Sequence, residues 1–226
     1  MLLGWINADR ASVGLVPWRA WGALNDLALD RADRIADSHT LSHAAAGGNV
    51  GEALDASGIP WSWYGEALGM TGVTLSQAGA RQIFDAWMAS DPHRAILRSD
   101  VDNYAGLGVA TATDGSMWVS LIATQSPDHT PPVASTVSLV RSGRTLTYRW
   151  RGVDPALQTL GAGLRSFDLQ VRRGDRTWKL VRNDTVSTRF VLRDAARRHW
   201  YWFRVQAADR RGTLSAWTTP VRIWVP

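Results

Sequence analysis

The chain has 226 residues, of which 45% are hydrophobic and 20% charged, a composition typical of globular domains. Its length predicts two domains of roughly 100 residues each. The absence of cysteine excludes disulfides, thiolate metal sites and cysteine nucleophiles. No apolar run approaches the about 20 residues that a membrane helix needs, and the first residues turn polar too early for a signal peptide. We therefore expect no membrane span, and we expect any export signal to be absent from this sequence.

The net charge of +5 is divided unevenly along the chain. Residues 1–125 contain seven arginines and thirteen acidic residues, a balance of −6. Residues 126–226 contain eighteen basic and seven acidic residues, a balance of +11. Such a change indicates a domain boundary, and it suits either attraction between the two domains or a basic module directed at a polyanion.

The first part of the chain combines helical and strand-like patterns. Apolar residues recur at helical spacing between Leu24 and Ala36, and a second amphipathic stretch covers Leu75–Ala89. After Asp100 the pattern changes to two strands joined by an Asp114-Gly115 turn. These patterns predict an α+β domain over residues 1–125, with helices packed on a small antiparallel sheet as an α/β/α sandwich.

The second part of the chain reads as an all-β domain. The paired prolines Pro131 and Pro132 interrupt the periodicity, so we place a linker at 126–133. Seven short alternating runs follow, which predicts a β-sandwich over residues 134–226. The runs are STVSLV, TLTYRW, FDLQVR, TWKLV, TRFVL, WYWFRVQA and VRIWV.

Several segments of the first domain occur in an order that one protein family shares. They are LLGWINADRASVGL at the start, Leu41-Ser42-His43, Gly65-Glu66-Ala67, WMASDPHRAIL at 87–97 and GLGVA at 106–110. The set resembles the bacterial SCP/CAP (YkwD-like) family from about residue 2 to 125. The resemblance implies the same α/β/α fold and a secreted, extracellular or cell-wall location.

The same resemblance implies a cleft lined by His43, Glu66 and His93. Two imidazoles and one carboxylate are a ligand set that can hold zinc or another divalent metal with a fourth position open to water. The residues are 23 and 27 positions apart, so they can converge only through the fold. Three interpretations stay open: a cleft that binds a metal or small ligand, a structural hydrogen-bond network, and a catalytic site.

The sequence also departs from the family pattern around this cleft. Ser90 stands where eukaryotic relatives carry a second acid, and Tyr104 stands near the place of an acid in bacterial members. Asp100 and Asp102 are candidates to replace that acid in space.

Two tryptophans precede the GEA segment. Trp61 and Trp63 either stack on a ligand beside the cleft or fill the core under a long loop. Together with Tyr104 they complete the set of predicted ligand-binding residues.

The second domain resembles fibronectin type III modules. The segment Tyr201–Ala207 (YWFRVQA) is similar to the strand F motif of these modules, and DRRGTLSAW resembles the loop after it. The resemblance implies that Tyr201 is a tyrosine-corner residue with its hydroxyl bonded to the chain, and that Trp150 is a core residue of strand B. Seventeen arginines make this domain a candidate for binding an anionic wall polymer such as teichoic acid, or else a solvated basic surface.

From these features we expect an exported or cell-surface, non-enzymatic binding protein. Its partner would be a small molecule, a lipid or a cell-wall component, with the fibronectin-like module as an adhesive or spacer domain. The alternative is a metal-dependent hydrolase acting on peptide or cell-wall substrates through zinc-activated water. A third possibility is a polyanion binder, although nucleic acid is not the expected partner.

Overall fold

The structure is a computed structural model that describes residues 1–226. The chain forms two compact units. The first comprises Met1–Pro127 and Leu157–Leu160, and the second comprises Asp128–Ala156 and Gly161–Pro226. No helix in either unit is both long and apolar enough to cross a membrane.

The first unit is a four-stranded sheet covered by helices on both faces. Its helices are α1 (Leu2–Ser12), α2 (Gly22–Asp37), α3 (Val50–Ala56), α4 (Gln77–Ala89) and α5 (Asp91–Leu97). Its strands are β1 (Arg19–Ala20), β2 (Trp63–Thr71), β3 (Tyr104–Thr111) and β4 (Met117–Gln125), in the order β1-β3-β4-β2. Only β1 and β3 pair in parallel. The predicted α/β/α sandwich is confirmed.

Strand β4 shows how the sequence builds the two layers. Because side chains alternate across a strand, Val119 and Leu121 enter a core with α1, α4 and α5. Trp118 and Ile122 face the opposite side, where the buried residues of α2 pack. The predicted helical spacing from Leu24 to Ala36 is thus the buried face of α2.

Helix α2 lies directly on β3, and two glycines make this approach possible. A Cβ atom at Gly106 would lie 2.2 Å from the carbonyl carbon of Leu24, and one at Gly108 would lie 2.2 Å from that of Ala28. No side chain fits at such distances. The glycines of the GLGVA segment therefore set the distance between helix and sheet.

The second unit is a sandwich of two antiparallel sheets. The strands are β5 (Val133–Ser142), β6 (Thr145–Val153), β7 (Leu164–Arg173), β8 (Lys179–Thr185), β9 (Arg189–Leu192), β10 (His199–Asp209) and β11 (Val221–Val225). They form sheets with the orders β5-β6-β9 and β11-β10-β7-β8. All seven predicted strands are present, and a fibronectin type III-like sandwich is confirmed.

Two aromatic residues occupy the places that the fibronectin resemblance implied. Tyr201 is buried, and its hydroxyl accepts a hydrogen bond from the backbone N–H of Ala196 at 2.7 Å. Trp150 in β6 is a core residue at 2% exposure, whereas its neighbours Arg149 and Arg151 face solvent. Both predictions are confirmed.

Candidate functional site

A cavity of about 880 Å³ opens in the first unit beside β2 and α5. Its wall is mixed, with carboxylate and imidazole groups next to aromatic and aliphatic side chains. The lining includes His43, Trp63, Glu66, Ile96, Asp100 and Asp102. A cavity of this size and composition is typical of small-molecule sites.

Glu66 is the most firmly held polar group of this cavity. It lies on β2 with only 7% exposure, and Arg31 of α2 binds it with both ends of its guanidinium group. The Arg31 Nε–Glu66 Oε1 distance is 2.5 Å and the Nη2–Oε2 distance is 2.9 Å. The hydroxyl of Ser120 on β4 donates to Oε1 at 3.3 Å. A paired arginine favours the ionised carboxylate, so Glu66 acts as an acceptor only.

His43 completes the set of partners around Glu66. It lies in the segment between α2 and α3, with its Nδ1 2.5 Å from Glu66 Oε2. Because an ionised carboxylate can only accept, Nδ1 carries the proton in this contact. The Nε2 atom is then the nitrogen that remains for a ligand. The imidazole is 62% exposed, so solvent and ligands can reach it.

His93 lies in a different environment. It belongs to α5, where its Nδ1 is 3.0 Å from Ser90 Oγ, and it is not part of the cavity lining. Burial lowers the pKa of His93, and the nearby charge of His43 lowers it further. Both effects disfavour the protonated form of His93.

The three predicted metal ligands do not form a compact donor set. His43 and Glu66 are in contact. The donor atoms of His43, Glu66 and His93, however, do not all lie within 4.8 Å of one another. Both oxygens of Glu66 already accept hydrogen bonds from Arg31. The arrangement therefore does not fit the three-ligand zinc site that the chemistry of these residues suggested. Binding of a metal by one or both imidazoles stays a prediction.

The predicted aromatic residues are divided between surface and core. Trp63 is 59% exposed and lines the cavity. Trp61 lies outside the lining and packs edge-on against Tyr64, with ring centroids 4.9 Å apart. Tyr104 is 1% exposed, with its ring 5.5 Å from that of Trp21. A ligand in this cavity would not reach Tyr104, which corrects the prediction for that residue.

Asp102 is a stronger feature of the cavity than its sequence context indicated. Asp100 and Asp102 both line the cavity, but Asp102 is 1% exposed and its two carboxylate oxygens are buried without a hydrogen-bond partner. Burial raises the pKa of Asp102 to about 6, and the nearby hydroxyl of Ser99 and the charge of Arg10 limit the rise. A carboxyl group with a pKa of about 6 is mostly ionised at pH 7 and becomes protonated as the pH falls below about 6.

Arg10 supports the loop that carries Asp102. It is completely buried, its Nη1 donates to the carbonyls of Leu97 and Ser99, and its guanidinium carbon lies 4.3 Å from the ring centre of Trp18. Burial lowers the pKa of Arg10 to about 10, so it stays charged at neutral pH. Because it binds the end of α5 and the residues that follow, Arg10 fixes one wall of the cavity.

The outer face of the sheet β11-β10-β7-β8 in the second unit carries another polar arrangement, in which guanidinium groups stack on indole rings. The Cζ atom of each arginine lies 4.3–5.1 Å from an indole centre. The stacked residues are Arg172, Arg204 and Arg222 with Trp178, Trp200, Trp202 and Trp217. Some arginines of this unit therefore form cation–π contacts with tryptophans of the same unit.

An α/β/α sandwich with a histidine–glutamate pair at its cavity, joined to a fibronectin type III-like sandwich, defines this chain as a two-domain protein of the SCP/CAP class. Residues 3–122 match the model of the CAP family, described as the cysteine-rich secretory protein family. The chain belongs to this family, although it contains no cysteine.

Several solved structures are similar to parts of the chain. An outer surface protein from Borrelia burgdorferi is 16% identical, with 55% of this chain and 90% of that one covered and a TM-score of 0.49. An extracellular SCP-domain protein from Bacillus anthracis is 17% identical, with 55% and 39% covered and a TM-score of 0.47. A Fn3-like protein from Clostridium thermocellum is 19% identical, with 43% and 95% covered and a TM-score of 0.29. No curated protein matches the chain at a significant level.

Proposed function

We propose that the protein is a secreted or cell-surface binding protein that does not catalyse a reaction. The observation that carries this proposal is the double hydrogen bond from Arg31 to Glu66. A general base or a metal ligand needs a free lone pair on its carboxylate, whereas Arg31, Ser120 and His43 together occupy the about four lone-pair sites of Glu66. The family description, which names secretory proteins, supports the location.

The composition of the cavity supports an amphipathic ligand. Trp63, Ile96 and Val101 supply an apolar wall, while the exposed imidazole of His43 supplies a hydrogen-bond acceptor. A lipid, or a cell-wall fragment with both an apolar and a hydrogen-bonding part, matches this distribution. The ligand would bind with its apolar part on Trp63 and its polar part on His43.

The binding proposal can be tested by calorimetric titration with short-chain lipids and cell-wall fragments. Trp63→Ala removes an exposed wall residue and should weaken binding about tenfold, because a stacked aromatic contact contributes about 1–2 kcal/mol. Leu29→Ala removes another exposed apolar side chain, which lies on α2 away from the cavity, and should leave affinity unchanged. Equal affinities of the wild type and Trp63→Ala would contradict the proposal.

A metal-dependent hydrolase is the second candidate, and the exposed imidazole of His43, whose Nε2 is left for a ligand, favours it. Any metal here would be held through imidazole nitrogens, with Glu66 orienting His43 rather than binding the ion. Metal analysis of the purified protein, with His43→Ala and His93→Ala as variants, tests this function. Stoichiometric zinc that both variants lose, together with hydrolysis of a peptide or peptidoglycan substrate, would support it over simple binding.

The second unit is proposed as a spacer or adhesive module with affinity for anionic wall polymers. Its excess charge supports this role, since Arg149 and Arg151 in β6 face solvent. Retention of the protein on heparin should fall steeply with salt, and Arg149→Ala combined with Arg151→Ala should shorten it. Unchanged retention of that double variant would leave the unit as a spacer only.

A further inference from the structure

Three aspartates of the second unit meet at one end of its sandwich. Asp128 precedes β5, Asp154 directly follows β6, and Asp209 is the last residue of β10. One carboxylate oxygen from each lies within 4.8 Å of one another. Their sequence separations of 26 and 55 residues hide this cluster from any local motif.

The oxygens of this cluster include buried atoms that have no hydrogen-bond partner. Asp209 is 0% exposed, and its Oδ2 is buried and unpartnered while its Oδ1 accepts from the backbone N–H groups of Arg211 and Thr213, both at 2.8 Å. Asp154 repeats the arrangement, with a buried, unpartnered Oδ1 and an Oδ2 that accepts from the backbone N–H of Gly163 at 2.6 Å. Buried lone pairs without a donor are costly, and a bound cation would supply the partner that these two atoms lack.

Backbone groups also fix the third carboxylate. Asp128 is 3% exposed, its Oδ1 accepts from the N–H of Thr130 at 2.8 Å and its Oδ2 from the N–H of Ala162 at 2.7 Å. No arginine forms an ion pair with Asp154 or Asp209, although this unit is rich in arginine. Burial raises the pKa of Asp154, and the charges of Asp128 and Asp209 raise it further. No arginine therefore relieves the charge repulsion at Asp154 and Asp209.

We propose that Asp128, Asp154 and Asp209 form a Ca²⁺ site. The donors are all oxygens, with no histidine or cysteine in the group, which favours a hard cation over zinc. Ca²⁺ accepts six to eight oxygen ligands in irregular geometry, so carboxylates held in place by backbone groups suit it better than Mg²⁺. A bound ion would join the segment entering β5 to the chain leaving β6 and β10, and so stabilise this end of the sandwich.

The test is a titration of the chelator-treated full chain with CaCl2, followed by isothermal calorimetry and by thermal unfolding. We expect one Ca²⁺ per chain, a Kd in the range of about 0.1–1 mM that extracellular modules show, and a Tm raised by about 5 °C or more at 10 mM CaCl2. Asp154→Asn, at a partly exposed position, should weaken binding at least tenfold and remove most of the Tm shift. Asp209→Asn should do the same if it folds.

Two control variants separate this site from other carboxylates and from the first unit. Asp175→Asn changes an exposed aspartate in the turn between β7 and β8 and should bind Ca²⁺ as the wild type does. His43→Ala alters the cavity of the first unit and should also keep Ca²⁺ binding. The proposal is overturned if no heat and no Tm shift appear up to 10 mM CaCl2, or if Asp154→Asn binds as tightly as the wild type.

Discussion

Arg31 in α2 holds Glu66 in β2 through both carboxylate oxygens, with both side chains almost completely buried. The pair links the helix layer to the sheet and also fixes the carboxylate that orients His43. Breaking such a pair leaves a buried charge without compensation, which costs far more than losing an exposed ion pair. This relationship makes Glu66 a structural centre of the cavity.

The first prediction concerns the loss of Arg31. Arg31→Ala should lower the free energy of unfolding by about 3–5 kcal/mol, because Glu66 stays buried without its cation. Arg34→Ala is the matched control on the same helix, since Arg34 pairs with Asp30 at an exposed i,i+4 position. That change should cost about 0.5 kcal/mol or less. Urea denaturation measures both, and similar losses for the two variants would contradict the argument.

The second prediction uses the raised pKa of Asp102. The pKa of Asp102 is about 6 in the folded state, whereas the ordinary value is 3.8. Because the folded state binds the proton more tightly than the unfolded state, protonation of Asp102 favours folding. Its contribution is therefore present below about pH 4 and is lost as the pH rises through about 6. The advantage of Asp102→Asn over the wild type in unfolding free energy should grow by about 2 kcal/mol between pH 4 and pH 7. Urea denaturation at both values measures this difference, and an equal difference at the two pH values would contradict it.

Much of the fold could be predicted from the sequence because it depends on short-range patterns. The spacing of α2 and the alternation of β4 follow directly from helical and strand periods. The hydroxyl bond of Tyr201 was implied by a local motif. These features need only neighbouring residues, so one sequence contains enough information to predict them.

The site was harder to predict because it depends on contacts between distant residues. Arg31 lies at helical spacing from Ala28 and Ile35, so the sequence places a charged residue on the apolar face of α2. This position indicates that Arg31 has a buried partner of opposite charge, but it does not identify Glu66. Nothing local distinguishes Asp102 from Asp100, yet the fold buries the first and exposes the second. Tyr104 stands near a family position that carries an acid, but the alternation of β3 directs its side chain into the core.

The third prediction concerns the contact between α2 and β3. Gly108→Ala would place a Cβ atom 2.2 Å from the backbone of Ala28, so the helix must move away from the sheet. We expect a loss of about 3 kcal/mol or more in unfolding free energy, at the upper end of overpacking effects. Gly72→Ala is the control, since a Cβ there meets nothing within 4 Å. A tolerated Gly108→Ala would show that the helix can shift at little cost.

The last prediction concerns the stacked arginines of the second unit. Arg204 lies 4.3 Å from the ring centre of Trp178 and 4.8 Å from that of Trp217, and its Nε and Nη2 both donate to Gln170 Oε1. Arg204→Ala should therefore destabilise this unit by about 1–3 kcal/mol, through lost stacking and lost packing of the side-chain stem. Chemical denaturation, monitored through tryptophan fluorescence, measures this change.

Comparison with two further variants identifies the cause of that loss. Arg204→Lys keeps the charge but not the flat guanidinium group, so it should recover only part of the stability. Arg197→Ala removes an exposed arginine of the same unit and should have an effect within about 0.5 kcal/mol. If Arg197→Ala cost as much as Arg204→Ala, the stability of the unit would depend on its total charge. If only Arg204→Ala is costly, the stacked arginines stabilise the sandwich. A polyanion must then bind to the arginines that do not stack.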